Sequence, residues 1–149
     1  MPVEENKALV RRWFQELDRG NLEAIDEFLS ASYIDHNPPI PGLPTGREGV
    51  RQANLLLLAA FSDVTHTIEE QMAEGDKVMT RVTTRGRFTG EFLGYPPNGQ
   101  VVQIGGIAVH RIAGGKLVEH WAHADMLGFM QQVGATAGLE ETPLPPGEA

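Results

Sequence analysis

The sequence predicts an α+β domain in which a curved antiparallel sheet wraps around N-terminal helices and leaves a conical internal pocket. The first observation is that the part of the chain before Asp63 carries the longer segments with helical periodicity. The second is that the residues after it are rich in valine, threonine and isoleucine and are divided by turn signals into successive strands. Helices followed by a strand meander are typical of an antiparallel sheet with helices packed on one face.

Two helices are predicted at the start of the chain. In residues 3–19 the apolar side chains recur at i, i+3, i+4 and i+7, the spacing of one helix face. These side chains are Val10, Trp13, Phe14 and Leu17. Gly20 is placed to end this helix, and Asn21 is placed to cap a second one that carries apolar residues as far as Leu29.

A loop and a third helix follow. Residues 33–46 are rich in proline and glycine, which break both helices and strands, so this segment is predicted to be a loop. Thr45 and Glu48 match the T-x-x-E pattern of a helix-capping box and predict a helix that runs to about Phe61. Because residues 55–58 are all leucine, we expect this helix to be buried on more than one face.

The second half of the chain predicts strands. The predicted strands are residues 64–71, 77–89, 101–112 and 116–124, the last two joined as a hairpin by Ala113, Gly114 and Gly115. A short apolar helix, 126–133, follows them, and the proline-rich segment 137–149 is predicted to be a flexible tail. The prediction is therefore a single domain over residues 1–136.

Composition excludes several classes of function. The 149 residues carry a net charge of −8, which disfavours binding to nucleic acid or to an anionic membrane surface. No cysteine is present, so disulfides, zinc–thiolate sites and thiol nucleophiles are excluded. The N-terminus lacks an apolar signal core, and no apolar run approaches the length of a membrane span, so a cytoplasmic location is expected.

The segment 119–125, EHWAHAD, concentrates the residues that could carry chemistry. If it is a strand, His120 and His123 point to opposite faces and cannot bind one metal ion, so no metal site is expected. The same alternation places Trp121, His123 and Asp125 on one face. Asp125 is also placed to cap the helix 126–133, and a cap uses only one carboxylate oxygen, so the two roles are compatible.

The face occupied by His110 depends on the hairpin turn. With a two-residue Gly114–Gly115 loop, Ala113 opposes Lys116, and His110 shares the face of Glu119, Trp121 and Asp125. With a three-residue loop, His110 moves to the opposite face. The sequence does not decide between these two registers. His66 and His120 are interpreted as ordinary sheet residues.

Six segments of the chain together resemble the SnoaL-like polyketide cyclases, also known as ester cyclases, of the NTF2-like superfamily. These segments are 6–17, 20–29, 33–49, 61–83, 85–102 and 111–134. The last contains the E-x-W…D-x-x-G motif, with Glu119, Trp121, Asp125 and Gly128 at its fixed positions. The resemblance implies a cone-shaped NTF2-like fold, in agreement with the pattern of helices and strands.

The resemblance also implies an activity. True cyclases of the family catalyse an intramolecular aldol condensation without a cofactor, and the acidic residue of the final motif, here Asp125, acts as general acid and base. A carboxylate in an apolar pocket has a raised pKa, which suits both tasks near neutral pH. We expect His110 to assist catalysis. The residues expected to contact a hydrophobic, carbonyl-rich substrate are Phe14, His36, Asn54, Trp121 and His123.

Assembly and the competing functions complete these expectations. Relatives commonly pair through the outer face of the sheet, and residues 101–112 are apolar on both faces, so a homodimer is expected. Two further functions are compatible with the sequence. One is an epoxide hydrolase, dehydratase or isomerase with the same fold, and the other is a small-molecule binding domain without catalysis.

Overall fold

The computed structural model describes residues 2–135, which form four helices and five strands in this part of the chain. In chain order they are α1 (Val3–Asp18), α2 (Ala24–Phe28), β1 (Leu29–Asp35), α3 (Arg47–Ala60), β2 (Phe61–Glu74), β3 (Lys77–Phe88), β4 (Val101–Ala113), β5 (Lys116–Ala124) and α4 (Met126–Val133). The predicted tail, 137–149, lies outside the described residues. None of the helices in residues 2–135 is long and apolar enough to cross a membrane.

The five strands form one curved, open sheet in the order β1-β5-β4-β3-β2. The long strands β2 to β5 pair antiparallel with their neighbours along the chain, and two-residue turns join β2 to β3 and β4 to β5. Helix α1 packs across β2 and β3, and α4 packs on β4. The α+β architecture with a curved sheet around helices is therefore confirmed.

Burial defines two faces of the sheet. On β3, Val78, Thr80 and Val82 are buried, whereas Lys77 and Arg81, which point to the other side, are exposed. The buried side chains of β3, β4 and β5 pack against α1 and α2, so we call this side the inner face and the opposite side the outer face. A second core cluster lies farther along the sheet and is built around aromatic rings. These rings are Phe61, Phe88, Phe92 and Phe129.

The structure corrects the prediction for residues 21–35. Helix α2 is only five residues long, and Asn21 does not cap it. The chain becomes extended at Leu29 and forms β1, which pairs parallel with β5. The predicted loop therefore begins after Asp35 rather than at Tyr33. Local periodicity could not reveal β1, because its hydrogen-bonding partner lies more than 80 residues away in the chain.

Helix α3 departs from its prediction in two ways. It begins at Arg47 with Gly46 at the N-cap position and has no capping bond from a side chain, so the expected Thr45–Glu48 capping box is absent. Three of its four consecutive leucines are exposed, with Leu55, the most accessible, at 52%. The expectation of burial on several faces is wrong, because the small residues Gly49, Ala53 and Ala60 form the buried side instead.

Candidate active site

The β4–β5 hairpin decides which face His110 occupies. Gly114 and Gly115 have φ values of 59° and 75°, the left-handed backbone of a two-residue turn. Ala113 accordingly pairs with Lys116, as in the first of the two predicted registers. The register then shifts between Arg111 and Ile112, because Val118 is an extra residue on β5.

This bulge reverses the predicted facing of His110. His110 lies opposite His120 on the inner face, and the centroids of the two rings are 4.7 Å apart. The expectation that a two-residue turn would place His110 with Glu119 and Trp121 is therefore wrong. A bulge adds one residue to one strand only, so it moves every later side chain of that strand to the other face relative to its partner.

Asp35 and His120 form a hydrogen-bonded pair that the sequence analysis missed. Parallel pairing of β1 with β5 places the two residues side by side, and His120 Nδ1 lies 3.0 Å from Asp35 Oδ1. The same carboxylate oxygen accepts a hydrogen bond from the Asn37 backbone N–H, at 2.9 Å. Asp35 is 6% exposed, so this carboxylate is held inside the protein and fixes the orientation of the His120 ring.

Asn37 and Tyr33 complete the surroundings of this pair. Asn37 Oδ1 accepts a hydrogen bond from the backbone N–H of Ala122, which ties the chain after β1 to β5. Tyr33 is buried, and its burial together with the nearby Asp35 charge raises the pKa of the phenol far above its ordinary value. Tyr33 therefore stays protonated at neutral pH.

His110 is buried and neutral. It is 1% exposed, and its pKa lies well below the ordinary value of an imidazole. The larger cause is burial, and the smaller is the charge of the neighbouring His120. Within residues 2–135, His110 Nδ1 has no hydrogen-bond partner. Phe14 packs edge-on against the ring at a centroid distance of 6.1 Å. Leaving such a nitrogen unpaired costs about 1–3 kcal/mol, so the position is unfavourable unless a ligand bonds to it.

Small side chains cover the inner face between the histidines and the end of β5. Ala108 pairs with Ala122, and Gly106 pairs with Ala124. Along β5 the exposure increases from the His120 side chain at 18% to Ala122, which is partly exposed, and Ala124, which is exposed. These four small residues form a strip that connects the buried histidines to the protein surface.

Asp125 lies at the open end of this strip and caps α4. Its Oδ1 accepts a hydrogen bond from the Gly128 backbone N–H, at 2.9 Å, which confirms the predicted capping role. A side chain at position 128 would collide with the carboxylate, which explains the glycine of the D-x-x-G motif. Asp125 is itself exposed, and its φ and ψ of −73° and 75° are not those of a strand, so strand alternation does not extend to it.

A second histidine–carboxylate pair lies on the outer face. His36 stacks on Trp121 with a centroid distance of 4.7 Å and an interplanar angle of 9°. His36 Nε2 lies 2.8 Å from Glu119 Oε2, and Glu119 also accepts a hydrogen bond from Arg111. Hydrogen bonds from His36 and then Arg111 lower the pKa of Glu119. The ammonium of Lys77 sits 5.6 Å from the Trp121 ring centre.

The predicted site residues are therefore divided between two faces. Trp121 and His123 share a face, as the alternation predicted, but this is the outer face together with His36. Phe14 and His110 lie on the inner side. Residues on opposite faces cannot contact one ligand in an interior pocket, so the predicted set does not form a single site.

Phe14, Asn54 and His66 occupy separate positions. The Phe14 ring packs between His110 and His66, and it lies 5.3 Å from the His66 ring. His66 Nδ1 lies 2.6 Å from Asp18 Oδ1, so His66 also has a carboxylate partner. Asn54 Nδ2 donates to the Val50 carbonyl of its own helix at 2.8 Å, which leaves its amide oxygen available for a ligand.

The geometry agrees with the predicted strand interpretation of the two histidines near the C-terminal end of β5. His120 pairs with His110, and His123 pairs with Ile107, so the two rings point to opposite faces. Among residues 2–135, no group of three or more histidine, cysteine, aspartate or glutamate side chains is arranged to hold a metal ion.

Comparisons with known proteins agree with this architecture. Nogalonic acid methyl ester cyclase from Streptomyces nogalater is 28% identical over 118 residues, which cover 77% of this chain and 87% of that protein. The structure of TsrD from Streptomyces laurentii matches with a TM-score of 0.80 and 29% identity over 91% of this chain and 98% of that one. IdmH from Streptomyces antibioticus matches with a TM-score of 0.76 and 29% identity, over 87% and 98%.

A family model described as SnoaL-like polyketide cyclase matches residues 8–133, which include every helix and strand except the first residues of α1. The chain belongs to the SnoaL-like polyketide cyclase family, whose members share the NTF2-like fold seen here.

Proposed function

We propose that this protein closes a ring in a hydrophobic, carbonyl-rich small molecule by intramolecular aldol condensation, without a cofactor. One observation carries the proposal. A strip of small residues on the inner face joins an exposed carboxylate, Asp125, to a buried polar group formed by His110, His120 and Asp35. A flat molecule lying on this strip has an acid–base group at one end and hydrogen-bonding groups at the other.

The chemistry requires a single carboxylate at the reacting carbon. Asp125 removes a proton from a carbon between two carbonyls, and the resulting enolate carbon attacks a third carbonyl of the same molecule. The new carbon–carbon bond places negative charge on that carbonyl oxygen, and Asp125 returns the proton to it. The substrate itself delocalises the enolate, and folding it on the strip supplies the proximity.

The capping role of Asp125 is compatible with proton transfer. The hydrogen bond from Gly128 occupies Oδ1 alone, so a cap and a base can be the same carboxylate. His110, which the sequence assigns to catalysis, acts in this proposal by holding the substrate through its unpaired nitrogen. The homology to a nogalonic acid methyl ester cyclase makes that ester the first substrate to test.

The test compares ring closure of nogalonic acid methyl ester by the wild type and by Asp125→Asn. Asparagine keeps the size and the capping ability, so the free energy of unfolding should change by no more than about 1 kcal/mol. The turnover number should fall by roughly 10²- to 10⁴-fold, the range typical of losing a general acid–base group. Asp76→Asn, in the β2–β3 turn at the other end of the sheet, makes the same chemical change and should keep full activity.

Other outcomes would support the alternatives. Full activity of Asp125→Asn would reject the acid–base role of this residue. Binding of the ester without turnover by the wild type would favour a small-molecule binding domain. A product formed by addition or loss of water, in place of ring closure, would favour the hypothesis of a hydrolase, dehydratase or isomerase.

We also propose that the protein works as a homodimer in the cytoplasm, with the outer face of the sheet as the interface. Three apolar side chains on β1, β2 and β4 support this proposal because they are exposed by 45%, 57% and 44%. They are Ile34, Met72 and Ile107. A patch of exposed apolar residues on a sheet face is typical of a surface that another protein covers.

A further inference from the structure

We propose that His110, His120 and Asp35 form a substrate subsite that binds an acidic hydroxyl group, a phenol or an enol, at the end of the substrate remote from Asp125. This subsite rests on the proposed function in one respect, which is that the ligand is a small carbonyl-rich molecule. It adds a specific functional group to the substrate and a specific position at which that group is recognised.

The geometry of the pair determines which atom faces the ligand. Asp35 holds His120 Nδ1 at 3.0 Å, so the free nitrogen of that ring is Nε2. The His120 side chain is 18% exposed, and a ligand can reach it along the strip of small residues. Beside it, His110 Nδ1 has no partner within residues 2–135. At the buried end of the strip, His120 therefore presents a partly accessible ring, and beside it lies the buried, unpartnered Nδ1 of His110.

The two histidines differ in the charge that they can carry. Asp35 contacts His120 Nδ1, so a proton that a ligand gives to His120 Nε2 would create a cation in direct contact with a carboxylate. His110 is enclosed by Phe14 and lies next to His120, so it remains neutral. The other titratable side chain beside Asp35 is Tyr33 of β1, which also stays neutral. The subsite therefore has one proton acceptor and one neutral hydrogen-bonding group.

An acidic hydroxyl group fits this combination. The O–H bond of the ligand breaks, its proton forms an N–H bond at His120 Nε2, and the oxygen anion remains beside the new imidazolium. His110, as the Nδ1–H tautomer, donates a second hydrogen bond to the same oxygen. A methyl ether can accept the hydrogen bond from His110 but has no proton to give, so it would leave His120 Nε2 without a partner.

The position of the subsite also defines the length of the ligand. His120 and Ala124, the last residue of β5, are four residues apart, which is about 13 Å along an extended strand at roughly 3.3 Å per residue, and Asp125 follows Ala124. A single ring cannot reach from one to the other. The subsite therefore fits a linear or fused-ring polycarbonyl molecule that carries a phenolic or enolic hydroxyl at its far end.

The test uses two coloured probes, alizarin and its dimethyl ether, with the full-length protein. Alizarin absorbs at longer wavelength when its hydroxyl ionises, so the spectrum reports proton transfer directly. At one pH unit below the pKa of free alizarin, the free dye is mostly protonated. We expect alizarin bound to the wild type to show the spectrum of the ionised dye at this pH. We expect alizarin to bind about 10- to 100-fold more tightly than the ether, as one charge-assisted hydrogen bond provides.

Variants assign the effect to the subsite. His120→Gln should abolish the spectral shift, and Asp35→Asn, which preserves size, should weaken it. His66→Gln changes the other interior histidine that has a carboxylate partner, Asp18, and should leave the shift intact. Circular dichroism checks that each variant folds, and the comparison between the phenol and the ether needs only the wild type.

Three results would overturn the inference. They are equal binding of the phenol and the ether, a spectral shift that survives in folded His120→Gln, and no binding of either probe up to its solubility limit. None of these measurements depends on turnover. Failure of the wild type to cyclise nogalonic acid methyl ester would count against the proposed function alone.

Discussion

The two faces of β5 carry the same chemical pair in opposite environments. On the inner face, His120 and Asp35 lie 3.0 Å apart, and Asp35 is 6% exposed. On the outer face, His36 and Glu119 lie 2.8 Å apart, but the His36 side chain is 37% exposed. Within a single protomer, water and salt reach the outer pair, whereas the inner pair is shielded from both. Burial, rather than the identity or distance of the partners, therefore makes the inner pair the better candidate for chemistry.

The outer face has an assembly role in our proposal, and a charge placed there should have the largest effect. Ile107 is 44% exposed near the middle of β4 on the outer face. In Ile107→Lys, an unpaired ammonium within the interface would cost roughly 3 kcal/mol, so the dimer should dissociate about 100-fold more readily. Sedimentation velocity across micromolar concentrations measures this change.

Leu55→Lys is the matched control for the dimer prediction. Leu55 is exposed by 52% on α3, away from the outer face of the sheet, and the substitution adds the same charge. It should leave the dimer intact. Dissociation by Leu55→Lys rather than by Ile107→Lys would place the interface on the helices. Sedimentation of the wild type at a single mass of 16.3 kDa would reject the homodimer altogether.

The next prediction separates the two faces in ligand binding. His110→Gln removes the buried imidazole of the inner face, and His36→Gln removes the stacked imidazole of the outer face. With a substrate that the wild type cyclises, His110→Gln should raise KM by up to about 10-fold, the scale of one lost hydrogen bond. His36→Gln should change KM less than about twofold by the same argument, since no inner-face contact is lost.

Steady-state kinetics with both parameters distinguishes binding from catalysis. A fall in kcat for His110→Gln at unchanged KM would show that His110 acts in the transition state instead. A larger rise in KM for His36→Gln than for His110→Gln would restore the sequence-based assignment of His36 as a substrate-binding residue, with a ligand on the outer face.

The sequence predicted those parts of the fold that depend on neighbouring residues. The helix spacing of Val10, Trp13, Phe14 and Leu17 predicted α1 to within one residue of its end. The Gly114–Gly115 turn and the strand on each side of it were also predicted correctly. In both cases the information lies within a few turns of helix or one hairpin, where periodicity and backbone preference act directly.

The buried site depended on contacts that no local pattern contains. Asp35 and His120 are 85 positions apart and meet only because β1 pairs with β5. The bulge at Val118 has no sequence signature, yet it exchanges the faces of His110 and Trp121 relative to each other. The D-H-N sequence at 35–37 was the available clue to this site. Asp35 hydrogen-bonds to His120 of β5 and to the Asn37 backbone, and the Asn37 side chain hydrogen-bonds to Ala122 of β5.

The third prediction concerns pH and the inner face alone. The pKa of His110 is lowered on folding, so the unfolded chain binds more protons than the folded one at acidic pH. The stability contributed by neutral His110 is therefore complete above the unfolded value, about 6.5, and is lost as the pH falls below it. Urea denaturation of the wild type should show this loss, at most about 1.4 kcal/mol per pH unit for one proton.

His110→Leu should remove that part of the pH dependence. At neutral pH the variant should be as stable as the wild type or more stable by about 1 kcal/mol, because an unpaired buried nitrogen is replaced by carbon. Thr80→Val is the control, since it removes a buried polar group that does not titrate and should shift stability equally at every pH. An unchanged pH slope in His110→Leu would mean that other groups cause the acid sensitivity.

The smallest effect is expected for the aromatic stack on the outer face. His36 and Trp121 are nearly parallel at 4.7 Å, a geometry worth about 0.5–1.5 kcal/mol beyond area burial, and less where water reaches the rings. A double-mutant cycle of His36→Gln and Trp121→Leu, measured by urea denaturation in the dissociated Ile107→Lys background, should give a coupling of about 0.5 kcal/mol. The same cycle on Phe14→Leu and His110→Leu tests an inner-face ring pair. If the outer coupling exceeded the inner one by more than about 1 kcal/mol, the outer aromatic pair would be part of the structural core, and the contrast between a screened and a buried face would fail.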